Sequence, residues 1–248
     1  MKKLWICIAA FFAAGAVSLA VIYIRNLNKV QIEFNIHINR QAIYLSTYSE
    51  PPQFAIWLEN PASHKLKQVF VTNRAGVGDW EGKADVPVAV PHWSAVFRHN
   101  VAGDDDDELV VSGATPRDEY FRINAAVRPN SEWTVWIEMN LAGDYNEWYP
   151  QFNRETHEED EFACGQPALL YRADIKAVKG AEYTPHLEAM SLWENGNTRL
   201  APVDSTITSA HTVFDRMTLR IIRPKFRFIN LKRAEKQEVL ADSIMKRR

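Results

Sequence analysis

Trp133-Thr-Val-Trp-Ile-Glu-Met-Asn140 is the stretch whose reading decides the fold. Trp133, Val135, Ile137 and Met139 fall on one side of an extended chain, and Thr134, Trp136, Glu138 and Asn140 fall on the other. That is the period-2 signature of a strand in a sheet with two different faces. Beyond Gly165-Gln-Pro167, a second run alternates Leu169, Tyr171, Ala173 and Ile175 with Leu170, Arg172, Asp174 and Lys176. Antiparallel pairing of the two runs across a core leaves residues 141–167 as a long excursion between them. Long loops carried on rigid sheets are where binding concentrates.

Working outward, Val30, Ile32, Phe34 and Ile36 alternate with Gln31, Glu33, Asn35 and His37. Residues 54–58 and 68–72 continue the strand pattern, with Pro51-Pro52 and Asn60-Pro61 as punctuating turns. Residues 94–97, 109–111, 120–127, 183–193 and 217–222 read as further strands, and 205–214 as a short helical turn. Many short strands with few helices between them predict an all-β chain, an antiparallel β-sandwich of immunoglobulin-like type.

The N-terminus reads differently. Residues 4–24 carry no charge and sit behind Lys2 and Lys3, a length that suits a bilayer span of about 20 residues. The apolar run continues through residues 17–24, past the small residues 13–16, so an uncleaved signal anchor is favoured over a cleaved signal peptide. The lysines favour a cytoplasmic N-terminus. The expectation is a single-pass protein of the bacterial inner membrane, held in lipid by its N-terminal helix, with the main domain in the periplasm. The expected organisation is an anchor over residues 1–26, a β-sandwich region over 27–226 and a basic helix or tail over 227–248. The sandwich region has room for two packed subdomains, about 27–130 and 131–226.

Composition excludes several functions. A hydrophobic content of 46% with eight tryptophans describes a folded chain, and a net charge of -2 lacks the basic surplus that nucleic acid demands. The cysteines are Cys7, inside the apolar segment, and Cys164. This leaves no intrachain disulfide framework, no cysteine zinc site, no haem attachment and no iron-sulfur cluster. No Gly-x-Ser-x-Gly elbow, phosphate loop or His-Glu-x-x-His motif occurs, so catalysis finds little support.

Residues 54–59 (Phe-Ala-Ile-Trp-Leu-Glu), 67–72 (Lys-Gln-Val-Phe-Val-Thr) and 111–116 (Val-Ser-Gly-Ala-Thr-Pro), with Trp80 and Trp93 as loop tryptophans, carry a family likeness. Over about residues 52–140 the chain resembles a family of predicted periplasmic proteins of unknown function that share a Val-Ser-Gly-Ala-Thr-Pro turn. The resemblance implies a β-sandwich of a kind often found beside flavin-handling membrane proteins. Ser112-Gly-Ala-Thr115 also resembles the attachment motif of flavin-carrying domains, in which FMN is linked through phosphate to the threonine. That likeness implies Thr115 as the linked residue, with Ser112 and Gly113 beside it. Leu109 stands where the motif has an aspartate. The alternative reading of the same residues is a tight turn, with Gly113 at positive φ and Pro116 limiting the chain.

Asp144, Asn146 and Glu147 group oxygen ligands on the long excursion, next to Trp148 and Tyr149. They suit either a hard cation or a turn capped by Asp and Asn, with the two aromatics packed on the sheet or offered to a partner. Residues 157–161, His-Glu-Glu-Asp-Glu, read as a solvated acidic loop. The functional expectation is a membrane-anchored periplasmic binding or assembly module, a non-catalytic accessory subunit that touches membrane-protein partners. A flavin-carrying electron-transfer protein with FMN at Thr115 is the alternative.

Overall fold

The computed structural model describes residues 29–77, 89–98, 112–113, 116, 118–158, 163–194 and 196–223. The expected anchor, the C-terminal helix, Thr115 and the strand over 109–111 therefore lie outside the described residues. Among the described residues, no helix is long and apolar enough to cross a membrane.

Residues 28–222 form one compact unit, a β-sandwich. The first sheet contains β5 (Tyr120–Val127), β1 (Val30–His37), β11 (Arg216–Ile222) and the short β8 (Glu182–Tyr183), in that order. The second contains, in order, β10 (Asn197–Ala201), β9 (His186–Glu194), β7 (Ala168–Lys176), β6 (Glu132–Asn140), β2 (Gln53–Glu59), β3 (Leu66–Thr72) and β4 (Ser112–Gly113). Among the described residues, every pairing is antiparallel except β3 with β4. The Trp133 run and the Leu169 run are neighbours in the same sheet, with Ile137 opposite Tyr171.

Period-2 alternation sets the core. In β1 the residues Val30, Ile32, Phe34 and Ile36 are buried and their neighbours half-exposed. They meet Phe54, Ile56 and Leu58 of β2, Val135, Ile137 and Met139 of β6, and Met217, Leu219 and Ile221 of β11 in one cluster between the sheets. The phenol oxygen of Tyr171, buried in this cluster, has no hydrogen-bond partner, and burial pushes its pKa upward. A buried hydroxyl left unsatisfied costs about 1–3 kcal/mol. Tyr171→Phe is therefore expected to leave the thermal midpoint unchanged or raise it; a clear fall in a melting experiment would mean that the hydroxyl has a partner.

Four sequence expectations are corrected. Residues 94–97 are not a strand but part of a helix, here α3 (Pro91–Arg98). Proline suits the first turn of a helix, and Val90, Trp93 and Phe97, at spacings of three and four, lie against the outer face of the second sheet. Two shorter helices, α1 (Arg40–Leu45) and α2 (Asn73–Val77), precede it. Gly113 is not at the positive-φ corner of a turn: it lies on β4, opposite Thr72 of β3. A Cβ there would stand 2.7 Å from the Phe70 ring, so close packing accounts for that glycine. The run over 183–193 is divided by Thr184-Pro185 into β8 and β9, which belong to different sheets. No subdomain boundary falls near residue 130, because β1 pairs with β11 and β2 pairs with β6.

Register sorts the connections into two ends. The links over 60–65, 128–131 and 177–181 lie at one end, tied together where Asn130 N donates to Ala177 O (3.0 Å) and Ala177 N to Ser131 O (2.8 Å). The body's first and last strands also begin and finish there, with Val30 opposite Val127 and Gln31 opposite Ile222. The long connections over 38–52, 141–167 and 202–215 gather at the other end, roughly 25–30 Å away at about 3.3 Å per strand residue.

Candidate functional site

At the long-loop end, one side chain ties the loops together. The Gln166 side-chain oxygen accepts from Thr208 N (2.6 Å), which fixes the direction of its amide. Its Nε2 then donates to Asp144 O (2.8 Å), to Asp144 Oδ2 (3.1 Å) and to Ser209 Oγ (2.6 Å). Gln166 N donates to Asp144 Oδ1 at 2.8 Å. Asn140, at the end of β6, donates from Nδ2 to Gln166 O (2.9 Å). Gly165, at φ +112°, passes so close to Asp144 Oδ1 that a Cβ has no room. This is a backbone position where glycine alone fits.

Asn146 works beside this hub. Its Oδ1 accepts from Trp148 N (3.0 Å) and Tyr149 N (2.9 Å), as an Asx turn does. Its Nδ2 reaches Thr206 O at 2.8 Å. Asn146 thus caps the turn and joins the 141–167 excursion to the 202–215 connection, whereas the Asp144 carboxyl is engaged by Gln166. Tyr149 packs against the core and its hydroxyl meets Thr206 Oγ1 at 3.1 Å, whereas Trp148 is 47% exposed. Glu147 is exposed. Among the described residues, no group of three or more His, Cys, Asp or Glu side chains is arranged to hold a metal ion.

Burial pushes the Asp144 carboxyl up to about 8, against the backbone hydrogen bonds from Gln166 and from its own N–H, which favour the ionised form. A carboxyl with a raised pKa binds its proton more tightly folded than unfolded. Its contribution to stability is full below the ordinary aspartate range and is lost as pH rises through about 8. The thermal midpoint is expected to fall between pH 6 and pH 9, and Asp144→Asn is expected to flatten that slope. An unchanged slope in the variant would remove Asp144 as the cause.

Most of the exposed large apolar side chains among the described residues stand at the loop end, with Val178 at the opposite end as an exception. Tyr44 and Leu45 on α1, Tyr48 just after it, and Trp148 and Phe152 on the excursion are all exposed. Tyr48 and Tyr145 join α1 to the excursion through their hydroxyls (3.0 Å) and a T-shaped ring contact (centroids 6.2 Å). Thr47 N donates to Gly143 O at 2.8 Å. A cleft of about 300 Å³ opens beside α1, walled by Ile43, Tyr44, Pro51 and Pro116, with Arg40 and Asp118 among its charged groups.

Sequence reasoning missed Gln166, Tyr48 and the α1 surface. Gln166 was visible only as part of a turn, and its partners at 208 and 209 are distant along the chain. The outer face of the second sheet carries a further cluster: Trp57 and Trp136 stack at 6.3 Å, and Arg172 lies 5.4 Å over the Trp136 ring. Glu59 accepts from Trp136 Nε1 (3.1 Å) and pairs with His64 (2.9 Å), and these contacts, led by His64, hold its pKa below the ordinary range.

Comparison with protein-family models, with curated proteins and with solved structures returns no match.

Proposed function

We propose that this chain is a membrane-tethered extracytoplasmic binding or assembly module, a non-catalytic accessory subunit of a membrane or redox complex. Its sandwich, immunoglobulin-like in this reading, is held to lipid by the N-terminal segment. The observation that carries the proposal is the polarity of the body. The exposed Tyr44, Leu45, Tyr48, Trp148 and Phe152 gather at the long-loop end, while the strands that begin and finish the body lie at the other end, where Gln31 faces Ile222. In this reading the aromatic loops are the surface offered to membrane-protein partners. Exposed aromatics ringed by polar groups are the usual anchors of protein interfaces, and the Gln166 hub holds their loops in place before binding.

Photo-crosslinking in membranes of the native host tests this reading. A crosslinker at Trp148 or Leu45 is expected to capture a defined membrane protein that one at Glu182, at the opposite end, does not. A chain that migrates alone after crosslinking and mild solubilisation sinks the proposal, as does a body that protease cannot reach in intact spheroplasts.

A second reading, FMN linked to Thr115, draws on one observation. Pro116, bonded directly to Thr115, lines the cleft that has Tyr44 for a wall and Arg40 at its edge. An aromatic wall beside a cation suits a ring system that carries phosphate. Intact-mass measurement of the native protein decides it, and a mass equal to the bare polypeptide rules it out.

A further inference from the structure

We infer that a shallow basin at the start of β5 binds an acidic saccharide, with Tyr120 as the platform for a sugar ring and Arg122 and Arg40 as receptors for its carboxylate. None of the three belongs to the exposed group proposed above as a partner surface, so the site stands independently of that role. Tyr120 opens β5 opposite His37, where β1 ends. Alternation along β5 sends Tyr120 and Arg122 to the solvent side of the first sheet, while Phe121 and Ile123 pack on the core. Ile38 N donates to Glu119 O at 2.7 Å, which locks the end of β1 to the start of β5. Asn39 then caps α1 by accepting from Gln41 N at 3.0 Å, so Arg40, the first residue of that helix, is fixed beside β5. Together Arg40, Asp118, Glu119, Tyr120 and Arg122 wall an open basin of about 700 Å³, inside the range of roughly 300–1,000 Å³ that ligand sites occupy.

The groups that face the basin are held in place without being neutralised. Arg74, Arg172, Arg199 and Arg220 are each paired with a carboxylate. Arg122 and Arg40 are held by neutral partners instead. Arg122 Nε donates to Asn35 Oδ1 at 2.8 Å, which leaves both terminal nitrogens for a ligand. Arg40 donates from one terminal nitrogen to the Tyr44 hydroxyl at 2.8 Å, and its guanidinium lies 5.6 Å over the Tyr44 ring. A neutral partner fixes the direction of a guanidinium and leaves its charge uncancelled. Tyr120 is 50% exposed, yet it too is backed: the His37 ring lies 4.8 Å away at 58°. His37 is pinned in turn, with its Nδ1 2.5 Å from Asp215 Oδ1.

The lining decides the class of ligand. Apart from Tyr120 every wall is charged, so a lipid or other apolar molecule finds little surface on which to bury itself. Asp118 and Glu119 repel a compact polyanion such as phosphate, but their oxygens accept hydrogen bonds from hydroxyl groups. An acidic saccharide answers all three features of the lining. One C–H face of a ring covers the exposed Tyr120 ring. Its hydroxyls donate to Asp118 and Glu119. Its carboxylate takes the planar fork of Arg122 as a bidentate, charge-assisted pair, with Arg40 adding positive charge from the far wall. Because Arg122 and Tyr120 are already oriented, little ordering remains to oppose binding. The openness of the basin suits a chain of rings lying across it rather than a small molecule enclosed.

Titration of the full chain in detergent with two probes, a trisaccharide of glucuronic acid and the neutral trisaccharide of glucose, tests this. The acidic probe is expected to bind about 10-fold more tightly than the neutral one, the size of one charge-assisted bidentate contact. Arg122→Gln should bring the two probes to within about 3-fold of each other, because the carboxylate loses its fork. Tyr120→Ala should weaken both probes about 10-fold, whereas Tyr120→Phe should keep them. Arg220→Gln, which breaks an ion pair elsewhere on the same sheet face, should change neither. All these side chains are exposed, so each variant is expected to fold, and a melting curve checks it. Binding of neither probe overturns the inference, and so does an acidic probe held equally well by folded Tyr120→Ala and Arg122→Gln proteins. Displacement of the acidic probe by an equal concentration of inorganic phosphate would show that charge alone is read, and overturns it as well.

Discussion

Gln166→Leu is expected to cost about 2–6 kcal/mol of folding stability, because it leaves at least two buried polar groups without a partner at about 1–3 kcal/mol each. Leucine has nearly the same volume, so packing changes little. What disappears is the acceptor for Thr208 N and the donor shared by Asp144 and Ser209. The Asp144 carboxyl stays buried and keeps the backbone N–H of residue 166, but it loses its side-chain partner. Denaturant unfolding should show a lower midpoint at unchanged slope. Hydrogen exchange should rise first over residues 141–146 and 204–209, ahead of β1 and β11. A loss below about 1 kcal/mol, typical of a single ordinary hydrogen bond, would mean that the loops are held by something other than this amide. If the proposed binding role is right, Gln166→Leu should also weaken crosslinking at Trp148 under conditions where the body is still folded, because the loop that carries Trp148 is no longer fixed in advance.

How far the sequence could be read depended on the range of the interaction. Strands β1, β2, β3, β6 and β7 were legible because period-2 alternation is local: Val30 to Ile36 and Trp133 to Met139 announce which side is buried without reference to anything else. The 141–167 excursion followed from the two strands that bound it. α3 was misread because Ser94-Ala-Val-Phe97 is a short apolar run that fits strand and helix alike. What makes it helical is Pro91 before it and Glu138, more than forty residues away, at its first turn. Glu138 was placed on the face of β6 opposite Val135, Ile137 and Met139, which is correct. Its burial was invisible, since an outward side chain is buried only when something lies on top. Gln166, between glycine and proline, looked like turn punctuation. Nothing in its neighbourhood signals that Thr208 and Ser209 close around it. Asn146 was legible as a turn former and also joins distant loops, whereas the Asp144 carboxyl, read with it as a cap, is taken up by Gln166 across the excursion.

The two faces of β2 offer the sharpest test of this architecture, because one short strand carries a fully buried aromatic of each cluster. Phe54 points between the sheets and meets Phe70 of β3 at 5.1 Å, Phe121 of β5 at 5.0 Å and Phe214, just before β11, at 5.4 Å. Its ring therefore bridges both sheets and the long-loop end. Trp57 points the other way and meets His92, Phe97 and Trp136 beneath α3. Both are essentially fully buried, and truncation to alanine costs about 3–5 kcal/mol for either through lost transfer energy and the cavity left behind. The magnitudes do not separate them, but the distribution of damage does. Phe54→Ala should lower protection in both sheets together, because the contact removed is shared by β2, β3 and β5. Trp57→Ala should release α3 first and leave β1, β5 and β11 protected, since the cavity opens on the far side of the second sheet. Residue-resolved exchange on the two variants at matched stability reads this directly. Uniform loss of protection in Trp57→Ala would show that the outer cluster is continuous with the main core, and α3 would then be part of the body rather than a layer laid upon it.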